Sequence, residues 1–205
     1  MSLDFVVFGV PRSGTDALTR ALNLHPQIMC AMEYFPDAIA ASTAIVPEAF
    51  EDERYSYSPN CEKSRLIYRS KKGIATVFGN KDPRFSLYAE SFHARNQNCR
   101  KICIYRPKLG FWQSWDARAN DQDDEHWERG QTGFFGMLEL MCLLNNLSDV
   151  DGCGEVLLVN YDGLFFDDTT ALETAFNYLG VEPNEQALDT FRNTELASAG
   201  HPPGS

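Results

Sequence analysis

The feature that most constrains the fold is an apolar segment near the start of the chain that ends in a short polar loop. The apolar segment is Leu3–Phe8, the loop covers residues 9–14 (GVPRSG), and an amphipathic stretch, Thr15–Leu24, follows. This order predicts a buried strand, a tight turn and a helix. The first backbone N–H groups of a helix have no intrahelical partners and lie at the positive end of its dipole. The segment therefore predicts an anion-binding loop, in which Gly14 lets the backbone approach the ligand.

The two glycines of this loop have the spacing of a Walker A loop, whose pattern is G-x-x-x-x-G-K-[ST]. The lysine position is Thr15 in this chain, and the following Ser/Thr position is Asp16. Because the usual cation for the β- and γ-phosphates is missing, the pattern disfavours an ordinary NTPase. A tight turn without a ligand is an open alternative, although Arg12 and Ser13 add side-chain donors for an anion.

Length and composition indicate a single globular domain over residues 1–205. The chain is 43% hydrophobic, which is ordinary, and it contains no apolar run of about 20 residues that could span a membrane. The first twenty residues lack a signal-peptide pattern, and the six cysteines form no CxxC pair, so we expect a cytoplasmic protein with reduced, mostly buried thiols. The net charge of −11 argues against nucleic acid as a partner.

Positive charge is concentrated in one part of the chain. Twelve of the eighteen Lys and Arg residues lie between Lys63 and Lys108, where only two acids oppose them. From Asp149 onward, Arg192 is the single base among eleven acids. A solvated face is one interpretation of the basic run. A local positive field on an acidic protein also suits a small polyanionic ligand.

Apolar and amphipathic segments alternate along the rest of the chain. Further strands are predicted for Ile28–Cys30, Ile74–Phe78, Lys101–Tyr105 and Val156–Val159, the last of them as a buried strand. Helices are predicted for Phe85–Asn98, Gly133–Leu147, Asp168–Leu179 with Asp168 as its cap, and Asn184–Arg192, and a turn or helix for Leu109–Ala119. Residues 36–72 are expected to form a lid or acceptor-side insertion, residues 121–128 an exposed acidic loop, and residues 198–205 a loose tail. The pattern predicts an α/β fold of the P-loop type, with three layers and a mostly parallel central sheet flanked by helices.

Polar side chains follow four of the predicted strands at their carboxyl ends. In chain order they are Arg12 with Ser13, Lys81, Arg106 and Tyr161. Ligands of parallel α/β sheets bind beyond these ends. Each side chain alone has a structural explanation, such as an ion pair between Lys81 and Asp82. Together they favour an anion pocket at one edge of the sheet.

With these segments in view, the sequence resembles the sulfotransferases that use 3′-phosphoadenosine 5′-phosphosulfate (PAPS). Within them it is similar to the tyrosylprotein sulfotransferase-like and bacterial branch. Five segments in family order carry the resemblance: Gly9–Thr15, His25-Pro26 with Glu33, Asn80–Pro83, Arg106 with Ser114 eight residues later, and Val159–Leu164. They extend over most of the chain.

The resemblance implies a donor site and a reaction. A sulfuryl group would move from PAPS to the hydroxyl of an acceptor, without a metal, leaving adenosine 3′,5′-bisphosphate. The implied donor-binding residues are Arg12, Ser13, Gly14, Thr15, Asp16, Ala17, Arg106, Ser114 and Tyr161. In these proteins the loop holds the 5′-phosphate, while Arg106 and Ser114 match the pair that holds the 3′-phosphate.

The resemblance also implies three catalytic residues. Glu33 would be the general base for the acceptor hydroxyl, Lys81 would stabilise the charge that develops on the leaving oxygen, and Arg12 would hold the 5′-phosphate. His93 and His126 are alternative bases, whereas His25 is assigned to the turn after the first helix. The singly charged sulfuryl group needs less neutralisation than a phosphoryl group, so fixed donors can replace a metal.

The sequence departs from the family pattern at two places. Asp16 replaces the usual second Thr of the loop and adds a negative charge beside the expected phosphate. No basic or glycine-rich segment that would cover the nucleotide follows Gly180. Two alternative functions therefore stay open, namely a non-catalytic module that binds adenosine bisphosphate, and a degenerate P-loop nucleotide kinase or NTPase.

Overall fold

A computed structural model of the chain describes residues 3–34, 47–51, 59–83, 98–106, 108–123, 131–149, 155–167 and 169–196. Within them a single sheet has five strands, β1 (Phe5–Phe8), β2 (Ile28–Met32), β3 (Val77–Lys81), β4 (Arg100–Tyr105) and β5 (Val156–Asn160). The strand order is β2-β3-β1-β4-β5, and all four pairings are parallel. This arrangement confirms the predicted α/β class and the parallel central sheet.

Six α-helices lie in the described ranges. They are α1 (Thr15–Leu22), α2 (Pro59–Lys71), α3 (Lys108–Ala119), α4 (Gly133–Asp149), α5 (Thr170–Leu179) and α6 (Glu185–Phe191). A 3₁₀ turn covers Pro47–Glu51, and single π-turns cover Gly163–Asp167 and Arg192–Leu196. Among the described residues, no helix combines the length and the apolar character that a membrane span requires.

The central strand β1 separates two apolar cores. Phe5 and Val7 point to one face of the sheet, and Val6 and Phe8 point to the other, as the two-residue period of a strand requires. The first core is completed by residues of α1, α5 and α6, and the second by residues of α2, α3 and α4. The result is the predicted three-layer arrangement, with β1 delivering the loop at residues 9–14 to the middle of the sheet edge.

Strand β3 begins and ends three residues later than the sequence pattern predicts. Ile74 is exposed, whereas Gly79, Asn80 and Lys81 pair with both β1 and β2. Glycine, asparagine and lysine have a low intrinsic preference for strands, but hydrogen bonding to a strand on each side outweighs that preference. Lys81 is consequently the last residue of a buried strand rather than part of the loop after it.

A further prediction, that the strand at 156–159 is buried, is wrong. Strand β5 lies at the edge of the sheet, and Leu158 is 60% exposed. On α4, Phe134, Leu138 and Met141 form the exposed side, while Gly136 packs closely on Trp115. Apolar content alone does not tell which side of an element another part of the chain covers.

Several predictions concern residues outside the described ranges. These are the helix at 85–98, the cap Asp168, the alternative bases His93 and His126, the tail at 198–205, and large parts of 36–72 and 121–128. Helix α5 starts after Thr169, whose hydroxyl donates a hydrogen bond to Glu173 at 2.6 Å. Of the described cysteines, four are buried free thiols and Cys142 is exposed.

Candidate active site

The loop between β1 and α1 has an unusual backbone. Among the described residues, Arg12 (φ 68°) and Glu33 (φ 50°) are the two non-glycine residues with positive φ. Gly14 has φ 105°, and a Cβ atom there would collide with the ring of Tyr161. The Ser13 N–H donates to the Val10 carbonyl at 3.1 Å and closes the turn. Strained backbone of this kind is common at binding sites, where the surrounding structure stabilises it.

The same loop offers polar groups that suit an anion. The cap residue of α1 is Gly14, so no side chain caps the first N–H groups of the helix. The hydroxyl of Ser13 is fully buried and has no hydrogen-bond partner within the described structure. A buried polar atom without a partner costs free energy unless a ligand or water satisfies it. Both features therefore fit a bound oxyanion at the start of α1.

One end of the site, which we call the lysine end, consists of Asp16, Glu33 and Lys81. Parallel register places Lys81 beside Val7 of β1 and Met32 of β2, and the Glu33 N–H donates to the Lys81 carbonyl at 2.8 Å. Lys81 Nζ donates to Glu33 Oε1 at 2.5 Å and also contacts the carboxylate of Asp16. The Lys81 side chain is only 3% exposed. Burial opposes its charged form, but the two carboxylates outweigh burial and raise the pKa of Lys81 above its ordinary value.

The other end, which we call the arginine end, consists of Arg106, Ser114, Arg118 and Tyr161. Arg106 directly follows β4, and its guanidinium lies over the Tyr161 ring at 4.5 Å from the centroid. Ser114 and Arg118 lie one turn apart on α3. These side chains come from a helix surface and from two strand ends, so no single element fixes their arrangement.

Two hydrogen bonds connect α3 with the loop. Arg12 Nε donates to Ser114 Oγ at 3.1 Å, and Trp115 Nε1 donates to the Pro11 carbonyl at 2.8 Å. Trp115 is fully buried against Phe111, so it anchors the helix in the core as well. These contacts join the arginine end to the loop.

A cavity of about 250 Å³ lies between the two ends. It is lined by Arg12, Gly14, Thr15, Asp16, Ala17, Arg20, Arg106, Ser114 and Tyr161. A second cavity, of about 450 Å³, adjoins it across the Arg12–Ser114 hydrogen bond and is lined by Arg12, Ser114, Ala117, Arg118 and Asp121. The structure therefore brings the residues expected at the donor site to one place. Ser13 is buried within the loop, and Lys81 and Glu33 adjoin the first cavity through Asp16.

Arg20 and Arg118 are cavity residues that sequence reasoning missed. Neither directly follows a strand, and neither lies in a segment that carries the family resemblance. Each lies four residues after a candidate on the same helix, Arg20 after Asp16 and Arg118 after Ser114. Residues at this spacing share a helix face. A basic residue one helical turn after a candidate is therefore the sequence signal that indicates both.

His25 lies in the turn after α1, as expected, and not at the site. Its Nδ1 accepts a hydrogen bond from the Gln27 N–H at 3.2 Å, and its Nε2 donates to the Glu182 carbonyl at 3.0 Å. This pairing requires the neutral ring, and burial lowers the pKa of His25. The described residues contain no group of three or more His, Cys, Asp or Glu side chains that could hold a metal ion.

At the level of sequence, the chain matches no family model and no curated protein. Solved sulfotransferase structures do match its fold. For a sulfotransferase from Alicyclobacillus acidocaldarius the TM-score is 0.58 at 13% identity, covering 97% of this chain and 92% of that chain. For the sulfotransferase domain of the Synechococcus PCC 7002 olefin synthase the TM-score is 0.58 at 16% identity, and the match covers 98% of this chain and 82% of that chain. For mouse sulfotransferase SULT7A1 complexed with PAP the TM-score is 0.56 at 13% identity, and the match covers 94% of this chain and 63% of that chain. The chain has the sulfotransferase fold.

Proposed function

We propose that this protein is a sulfotransferase that moves a sulfuryl group from PAPS to the hydroxyl of an acceptor. The observation that carries the proposal is the ion-paired Lys81, which lies between Glu33 and Asp16 beside an arginine-lined cavity at the start of α1. A buried cation next to a carboxylate base suits a reaction that removes a proton from one oxygen and develops charge on another.

The two cavities suit a nucleotide that carries an anionic group at each end. The 5′-phosphate would bind at the first N–H groups of α1, where the Ser13 hydroxyl and Arg12 add donors. The 3′-phosphate would bind at the arginine end, with Arg106, Ser114 and Arg118 as donors. A second phosphate site of this kind would separate PAPS from ATP.

The lysine end would carry out the chemistry. As the acceptor oxygen attacks sulfur, Glu33 would take the proton of its hydroxyl. Lys81 would donate a hydrogen bond to the oxygen that stays with the 5′-phosphate when its bond to sulfur breaks. Because the sulfuryl group carries a single negative charge, Lys81 and Arg12 can supply the neutralisation that a phosphoryl transfer takes from Mg²⁺.

A second candidate function is a binding module that holds adenosine bisphosphate without turnover. Asp16 favours it, because its carboxylate lines the first cavity and contacts the lysine on which catalysis would depend. A degenerate nucleotide kinase or NTPase, the third candidate, has no support from the loop, since Thr15 stands where the Walker lysine belongs.

Calorimetric titration with adenosine 3′,5′-bisphosphate and with Mg-ATP tests the proposal. We expect the bisphosphate to bind more tightly, and Arg106→Ala to weaken it by about 10–100-fold because a charge-assisted contact to phosphate is lost. Arg192→Ala is the matched control, since Arg192 is an exposed arginine that lines neither cavity. Tighter binding of Mg-ATP, or equal affinities of the two variants, would contradict the proposal.

A further inference from the structure

Asp16 separates Lys81 from the cavity. The Lys81 side chain is 3% exposed, whereas that of Asp16 is 61% exposed. Of the described residues that line the first cavity, Asp16 is the single acid, and Lys81 is not among them. A ligand in this cavity therefore meets the carboxylate of Asp16 before it meets the ammonium group.

The lysine end carries an excess of one negative charge. Two carboxylates, from Asp16 and Glu33, share the single ammonium of Lys81. Asp16 also occupies the first turn of α1, where the helix dipole stabilises negative charge. A phosphate bound at the start of this helix would compete for the same positive potential and would lie close to the carboxylate.

The proposed reaction changes the charge of the group that would sit there. In PAPS the 5′-phosphate is an anhydride with one negative charge on its phosphate oxygens. When the sulfur–oxygen bond breaks, the bridging oxygen and its electron pair stay with the phosphate, and the acceptor proton passes to Glu33. The product phosphate is a monoester with a second pKa of about 6, so it is doubly charged at neutral pH.

We infer that Asp16 determines charge selectivity at the lysine end, favouring the singly charged phosphate of the donor over the doubly charged phosphate of the product. The inference rests on the proposed function and assigns a role to Asp16, the residue at the start of α1 that departs from the family pattern. Its consequence is that the product leaves more readily than it would from a loop with a neutral residue at this position.

Among the described residues, several charged groups either share the first cavity with Asp16 or form its ion-pair cluster. They are Lys81 at the end of β3, Glu33 after β2, Arg12 in the loop, Arg20 on α1 and Arg106 after β4. Lys81 remains charged between pH 5 and 8, because its pKa is raised above its ordinary value. The second ionisation of a bound 5′-phosphate is therefore the change that Asp16 opposes in this range, while the arginines favour it.

The test is a titration with adenosine 3′,5′-bisphosphate between pH 5 and 8, using the wild type, Asp16→Asn and Asp16→Thr. For both variants we expect the affinity to rise about tenfold across this range, as the second charge becomes available to the arginines. For the wild type we expect a rise at least about threefold smaller, because the second ionisation of the 3′-phosphate contributes equally in all three proteins and only that of the 5′-phosphate is opposed by Asp16. Asp189→Asn, which removes an exposed carboxylate outside both cavities, should behave like the wild type.

A second ligand distinguishes charge selectivity from a merely structural role. Adenosine 3′-phosphate lacks the 5′-phosphate, so it should bind the wild type and the Asp16 variants with equal affinity at every pH. Equal pH dependence of bisphosphate binding in all proteins would overturn the inference, and so would a loss of affinity for both ligands in the variants. If no protein binds the bisphosphate at any pH, the proposed function itself fails and the inference fails with it.

Discussion

The two ends of the site are constructed in different ways. At the lysine end, the register of three parallel strands positions Lys81, and two carboxylates hold its buried ammonium. At the arginine end, side chains from α3 and from the ends of β4 and β5 meet at a more open surface. Backbone pairing thus fixes the end where bonds would change, and side-chain contacts form the end that would select the nucleotide. Substitutions at the two ends should therefore affect different measured quantities.

The largest effect is expected at the lysine end. We expect Glu33→Gln and Lys81→Met to lower the rate of sulfate transfer to a panel of hydroxyl acceptors by about 10²–10⁴-fold, because the base or the charge on the leaving oxygen is lost. Affinity for the bisphosphate should change by less than about tenfold. Transfer is measured with labelled PAPS, and affinity is measured by calorimetry.

A matched control for these variants is Lys72→Met, which removes an exposed lysine paired with Glu51. It should leave both the rate and the affinity unchanged. Because Lys81→Met leaves two acids without their shared cation, thermal unfolding of each variant shows whether a loss of rate is a loss of fold. Normal turnover by both Glu33→Gln and Lys81→Met would show that the assigned roles are wrong.

An intermediate effect is expected at Gly14, which packs against Tyr161 of the arginine end and precedes α1. An alanine there would be strained at φ 105° and would collide with Tyr161, on which Arg106 is stacked. We expect Gly14→Ala to lower the free energy of unfolding by about 2–5 kcal/mol, from backbone strain together with overpacking. Urea denaturation measures this change.

Gly73 provides the control for the strain component alone. It also has positive φ, 85°, but a Cβ atom there would meet open space. Gly73→Ala should therefore cost only about 1–2 kcal/mol. An equal loss of stability in the two variants would show that the contact of Gly14 with Tyr161 does not constrain the loop.

The smallest effect is expected at Arg118, on the open side of the arginine end. We expect Arg118→Ala to weaken bisphosphate binding by about 3–10-fold, with a shallower dependence on salt, because one phosphate contact in a solvated cavity is lost. The rate of transfer at saturating PAPS should stay the same. A lower saturated rate with unchanged affinity would place Arg118 in the chemical step and remove the distinction between the two ends.

The sequence predicts site residues that follow strands better than site residues on a helix face, for a physical reason. Apolar runs locate the strands, and parallel strands bring their carboxyl ends together, so Arg12 and Lys81 could be grouped before the structure was known. Arg118 could not, because its position depends on which face of α3 turns toward the loop. That choice is set by the burial of Trp115 and its hydrogen bond to Pro11, and both are tertiary contacts.

The errors in the fold have the same origin. The strand that contains Leu158 was expected to be buried, since an apolar run has the same composition in an edge strand as in a central strand. The limits of β3 were misplaced because pairing on both sides determines them, not the propensities of Gly79 and Asn80. Likewise, the charge of Asp16 is visible in the sequence, but its contact with Lys81 is visible only in the fold.

The strand order also determines when the central sheet can form during synthesis of the chain. Strand β1 is synthesised before both of its sheet neighbours, β3 and β4, so Val7 can pair only after Lys81 on one side and Ile102 on the other have been made. At a translation rate of about 5–20 residues per second, the wait for β3 lasts roughly 4–15 seconds. Until then the most apolar strand of the sheet has no permanent partner. The pairing of β1 with β3 ends this exposure, and it also places Lys81 beside the loop. The lysine end and the first part of the sheet therefore form in the same step of folding.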